Sequence, residues 1–305
     1  MPNSVLYLAA VLIWGSTWIA ITFQFGHVPA TVSVAYRFLL AGSLLLLWCG
    51  WRGHPLRLPP KVMGWIAFQG ALMFCANYVC VYEAERHIPS GLMAVLNSTM
   101  VALNLFGLRL AFGQPVESKS IWGAGLGVVG VALVFWPELA QLNRPDIRYG
   151  ALIGLLAVLF ASLGNLVAQR NRNHDVPLLP SIGYGMVVGG AMSLVLAVLS
   201  GQPLRFDPSL RYVGSLLYLA LFGSIIAFSA YLTLLGRIGA ARAGYTAILI
   251  PIVALLISTA FEGFVWQPAT FLGMVLAVFG NWVMLGDVRG WWLRLRGIRG
   301  AGSAA

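Results

Sequence analysis

Chemistry in this chain has to be sought among uncharged polar and aromatic side chains, because acids and bases are scarce and sit at the margins. His27, His54, His87 and His174 fall at or near breaks between apolar stretches. Glu83, Glu85 and Glu262 fall at the ends of such stretches, so no Asp or Glu is expected near the middle of one. Cys49, Cys75 and Cys80 lie in or beside apolar stretches without metal-ligand spacing; they read as packing thiols, with no metal site and no cofactor implied. What the apolar stretches do carry is neutral donors, acceptors and rings. The candidate binding set is Trp18, Gln69, Asn77, Tyr78, Tyr82, Asn97, Asn165, Ser224 and Tyr245. Such groups suit the ammonium and carboxylate of a small zwitterion. Tyr78 and Tyr82, four residues apart, share a helix face and would form an aromatic wall. Each Asn or Gln has a second reading, an interhelical hydrogen bond that only packs the bundle. Arg37 is the one charge set inside an apolar stretch, and it too has two readings. It is either a gate or carboxylate contact, or a structural arginine bonded to neighbouring helix ends.

The elements that must position these groups are membrane spans. Of 305 residues, 59% are apolar and 9% charged, against about 25% charged in soluble domains. Apolar runs between charged or Pro/Gly-rich breaks give ten spans, near 4–23, 30–50, 62–82, 88–111, 120–136, 149–169, 178–199, 211–235, 238–261 and 268–286. With the N-terminus in the cytoplasm, thirteen Lys and Arg fall in inner connections and the tail, five in outer connections and Arg37 within a span. That bias satisfies the positive-inside rule and puts both termini in the cytoplasm. The net charge of +10 therefore reads as orientation in a lipid bilayer; no basic run interleaved with aromatics points to nucleic acid. The tail, 287–305, carries Trp291, Trp292 and four arginines, and reads either as an interfacial helix or as a frayed end. Gly125 to Gly130 spells a dinucleotide fingerprint by letter, but it sits in a span and follows no strand, so it reads as close packing. The spacings Gly123/Gly127 and Gly185/Gly189 let helices approach.

The chain also repeats. Shifted by 150 residues without gaps, Gly64 falls on Gly214, Ile88 on Ile238, Leu105 on Leu255, Gly123 on Gly273 and Gly130 on Gly280. The expected units are 4–136 and 149–286, five spans each, followed by the tail. Five is odd, so the second copy must enter the membrane from the opposite side, about a pseudo-twofold axis in the membrane plane. The fold class expected is all-α integral membrane, ten helices as two inverted five-helix repeats. Such halves can exchange conformations and expose one central cavity to each side in turn; a duplication kept only for packing is the plainer reading.

The strings Trp14-Gly15-Ser16-Thr17-Trp18, Tyr36 to Gly42, Ile88-Pro89-Ser90-Gly91-Leu92-Met93-Ala94 and the glycine-spaced Gly123 to Leu133 resemble the EamA unit of the drug/metabolite transporter superfamily, in both halves. The resemblance implies export of small metabolites, often amino acids, from the bacterial cytoplasm across the inner membrane. Two positions depart from it. The Pro early in the fourth helix of a unit is kept as Pro251, but its counterpart is Val101, so the first unit's helix is expected to bend less. The Glu thirteen residues later is replaced by Gln114 and Phe264, which puts an end-of-helix ion pair in doubt. Phosphorylated sugars, carried by eukaryotic branches, would need Lys or Arg facing the cavity, and no such cluster is present. The expected cargo is amino acids, aromatic ones among them, or similar small zwitterions; a drug cation, a purine or a carboxylate is the alternative. With no titratable group foreseen at mid-depth, uncoupled transport is expected in preference to proton antiport. An intramembrane enzyme is excluded by the lack of Asp-rich motifs or a Ser/His pair within spans. The oligomeric state is left open, a monomer included.

Overall fold

The computed structural model describes residues 1–113, 115, 117–134, 136, 145–231, 233–234, 237 and 246–285. Within them the chain is helical, and the helices follow the apolar runs. We number them α1 (Asn3–Thr22), α2 (Ala30–Trp51), α3 (Pro60–Ala84), α4 (Ser90–Phe112), α5 (Ser118–Val134), α6 (Pro145–Asn173), α7 (Leu178–Leu199), α8 (Leu210–Tyr231), α9 (Thr246–Phe261) and α10 (Pro268–Leu285). Seven of these described helices, α1 to α4 and α6 to α8, are long and apolar enough to cross a membrane, while the apolar parts of α5, α9 and α10 are shorter. Proline supplies many of the starts: Pro29, Pro59, Pro89 and Pro177 each precede a first helical residue, where a missing N–H costs nothing. Large apolar side chains such as Leu47, Leu110, Trp122 and Leu199 point outward, as they can where the surroundings are hydrocarbon.

Glycine governs how the rods meet. A Cβ at Gly130 would overlap the backbone of Gly273 and Ala277, and one at Gly280 would overlap that of Gly123 and Gly127. On α2 and α7, Gly42 lies against Gly183 and Val187, and Gly190 against Ala35 and Leu39. In both pairs residue numbers rise along one helix as they fall along the other, so α5 runs antiparallel to α10 and α2 to α7. The contacts also repeat between the two halves. Gly15 of α1 rests on Val253 of α9, as Gly154 of α6 rests on Met93 and Leu96 of α4. The expected spacing motifs are in use: Gly185 and Gly189 pack on Gly70 and Phe74 of α3.

Two features were not expected from the sequence. Turns of π-helix interrupt α3 at Ala71–Ala76 and α8 at Tyr218–Ile226, at matching places in the two halves. Such wide turns free backbone carbonyls and re-aim side chains, and they are common at functional sites. The fourth helix is also interrupted where no proline stands. At Thr99 its N–H bonds Leu96 O (3.0 Å), three residues back, and the hydroxyls of Ser98 and Thr99 bond Val95 O and Leu96 O (2.7 Å each). The α9 helix, by contrast, runs unbroken through Pro251. At the break in α4 the hydroxyls of Ser98 and Thr99 compete for backbone carbonyls, a disturbance that needs no proline.

Candidate functional site

Helix α2 carries Arg37 into the core, where only 1% of its surface remains exposed. Its Nε donates to Ser224 Oγ at 3.4 Å, and that hydroxyl in turn donates to Leu219 O, five residues back within the π turn of α8. The guanidinium lies 4.6 Å from the Tyr78 ring centre and 5.1 Å from that of Phe38, and these two rings meet edge to face at 4.6 Å. Nη1 is buried without a hydrogen-bond partner. A planar cation clamped between aromatic faces retains the capacity to take a carboxylate from one edge. One turn beyond Tyr78, the buried Tyr82 donates its hydroxyl to Gln24 Oε1 at 2.8 Å, closing α3 against the end of α1.

The structure thus brings together four of the residues singled out from the sequence: Arg37, Tyr78, Tyr82 and Ser224. Others go elsewhere. Gln69 accepts from Asn171 Nδ2 at 3.0 Å and ties α3 to α6. Asn165 reaches Met100 Sδ at 3.3 Å and Asn104 Oδ1 at 3.5 Å, between α6 and α4. These two are interhelical packing contacts. Asn77 bonds Met73 O, four residues back, at 3.2 Å, where the π turn of α3 ends. Trp18 packs on the core with a buried, unpartnered Nε1, and Asn97 is half-buried on α4. Pro251 is buried within α9, and Tyr245 lies outside the described residues. An apolar groove of about 730 Å³ between α1, α9 and α10, with Leu249, Ile252 and Met274 in its wall, includes none of the cluster.

Two acids complete the site, and sequence reasoning undervalued both. Glu262 stands eleven residues after Pro251, not thirteen, and caps α4: its carboxylate accepts from Ser90 N (3.1 and 3.2 Å), from Ser90 Oγ (2.7 Å) and from Ser258 Oγ. An acid does therefore close a helix end here, as a cap on a positive helix dipole rather than an ion pair. Gln114 lies outside the described residues; Phe264, thirteen residues after Pro251, is buried. Glu85 is expected at a span end and is there, but it is only 6% exposed and neither carboxylate oxygen has a hydrogen-bond partner. Tyr78, Tyr82 and Glu85 are spaced i, i+4 and i+7, which would have marked them as one face.

The model of the EamA-like transporter family matches residues 2–136 and again 148–286. The chain is 30% identical over 274 residues, 89% of its length and 86% of the relative's, to the uncharacterized inner membrane transporter YedA of Escherichia coli K12. It is 27% identical to protein PecM of Dickeya dadantii, covering 92% of this chain and 90% of that one. With the probable amino-acid metabolite efflux pump of Escherichia coli K12 it shares 22% identity, over 94% and 96% of the two chains. A solved crystal structure superposes with a TM-score of 0.67 at 18% identity, over 92% of this chain and 96% of its own, and so shares the fold. An all-helical multi-pass bundle, read twice by one family model along nearly its whole length, belongs to the EamA-like transporter family of the drug/metabolite transporter superfamily.

Proposed function

We propose that this protein exports amino acids, or similar small zwitterions, from the cytoplasm of a bacterium across its inner membrane. It does so by alternating access between two inverted five-helix units, 4–136 and 149–286, with both termini and the tail 287–305 in the cytoplasm. The antiparallel packing of α5 on α10 and of α2 on α7 supports the inversion, since matching helices of oppositely inserted units must run in opposite directions. The observation that carries the substrate class is Arg37, buried between aromatic rings with Nη1 unpartnered. One guanidinium suits one carboxylate, and the surrounding groups suit the rest of a small polar solute; a phosphorylated cargo would call for several cations. Relatives named as an inner membrane transporter and as a probable amino-acid metabolite efflux pump agree with this reading.

The test is counterflow in proteoliposomes loaded in turn with each of a panel of unlabelled amino acids, with purines, cationic drugs and simple carboxylates as comparison solutes. Accumulation of labelled amino acid driven by the same unlabelled amino acid is the expected result. Accumulation of only a comparison solute would reassign the substrate. The uncoupled mode expected from the sequence rests on the lack of a titratable group at mid-depth, and Glu85, a buried acid at a span end, leaves that premise standing.

A further inference from the structure

Glu85 directly follows α3 and is buried with both carboxylate oxygens unpartnered. Its charged neighbours are Glu262, at the end of α9, and Arg37, on α2. Tyr78 and Tyr82 face the same space from α3. The other charges nearby turn outward: Glu83 pairs with Arg86 and His87 at the surface (3.3 Å each), and Asp146, Arg148 and Tyr149 of α6 are exposed. Glu262 has its charge answered by the α4 N-terminus and two hydroxyls. Arg37 has its charge shared by two aromatic faces. A charge on Glu85 is answered by no hydrogen bond, only by Arg37 across the space between them, against the opposing charge of Glu262. Ionised, it would be a dry, unbonded carboxylate beside another carboxylate, the arrangement in which an acid keeps its proton.

We propose that Glu85 is a proton-binding site of the conformational cycle: its carboxyl is protonated while this end of the bundle is packed shut, and it releases the proton to water when the end opens. The O–H bond breaks, water takes the proton, and the carboxylate left behind is hydrated or meets the free edge of Arg37. The inference rests on the alternating-access reading in that it needs this end to open, but not on the identity of the cargo. Linkage fixes the sign: acid on the side that this end faces favours the shut state, and alkali favours opening. One proton shifts the ratio by at most about tenfold per pH unit.

The experiment uses purified full-length protein and no transport substrate. Infrared difference spectra between neutral and alkaline pH are recorded for the native chain and for Glu85→Gln, whose amide nearly matches the carboxyl in size. In parallel, the native cysteines are replaced and spin labels are placed through Arg86→Cys and Leu204→Cys. These are surface positions on the connections after α3 and α7, outside the cluster. The labels report the distance across this end as pH is varied, with and without Glu85→Gln. The expected result has two parts: a carbonyl band of an un-hydrogen-bonded carboxylic acid that Glu85→Gln removes, and a label distance that lengthens with pH only when Glu85 is present. A band that survives Glu85→Gln overturns the proposal. So does a label distance with the same pH dependence in both proteins, including none in either. Because neither measurement involves cargo, failure of amino-acid counterflow leaves these outcomes standing, and their failure leaves counterflow standing.

Discussion

A cation sealed inside a membrane protein needs its hydrogen bonds answered or its charge shared, and Arg37 relies on sharing. Its neighbours define what single substitutions should do. Arg37→Lys keeps the charge but loses the flat face that stacks on Tyr78 and Phe38 and the Nε that reaches Ser224. Since lysine cannot replace a stacked guanidinium, amino-acid counterflow is expected to fall by about tenfold or more, with about 1–2 kcal/mol of stability lost. Initial rates in proteoliposomes and thermal unfolding in detergent check the two numbers. Tyr78→Ala should likewise lower flux in folded protein, while Tyr78→Phe, which keeps the ring, should retain most of it; equal flux in all three forms would remove Tyr78 from the site. The residue types of this cluster were legible in the sequence. Their company was not. Gln69 and Asn165 have the same chemistry as the residues around Arg37 and are spent on tying helices together, because a side chain's partner depends on which rod the bundle sets opposite it.

Among the elements, the helix contacts make a clean contrast between glycines. Gly130 faces the α10 backbone with no room for a methyl group, whereas Gly125, on the same helix, has nothing within 4 Å of a Cβ. Gly130→Ala should therefore force α5 from α10 and cost about 1–3 kcal/mol. Gly125→Ala should be neutral, or raise stability by about 0.5–1 kcal/mol, through a better helical propensity. Melting of the two variants in one detergent measures both. The cap on α4 is a further element-level test. Glu262→Gln can still accept from the hydroxyl of Ser258 but no longer brings a negative charge to the helix start, so a loss of about 1 kcal/mol in the same melts is expected. The π turns of α3 and α8 and the interruption of α4 at Thr99 could not be foreseen by counting hydrophobic residues. An apolar segment has the same composition whether its hydrogen bonds close over four residues or five, and packing chooses between them.

For the whole molecule, the inverted arrangement makes a claim about sides. Cysteines at His27 and Leu204 should react with a membrane-impermeant maleimide added to intact cells, and cysteines at Gly53 and His174 only after the cells are opened. His27 and His174 follow the first helix of their respective units, so labelling of both from outside would contradict inversion. By itself the sequence determined that the chain lives in lipid, where the apolar stretches lie, and that one unit is written twice, because hydrophobicity and repetition are properties of a string that lipid reads directly. The tertiary structure alone decided that Arg37, Tyr78, Tyr82 and Ser224 meet, and that Glu85 and Glu262, both span-end acids by position, have opposite fates. One caps a helix and the other is buried with no hydrogen-bond partner. Burial and hydrogen bonding are relations between segments far apart in the chain, and only the packed bundle creates them.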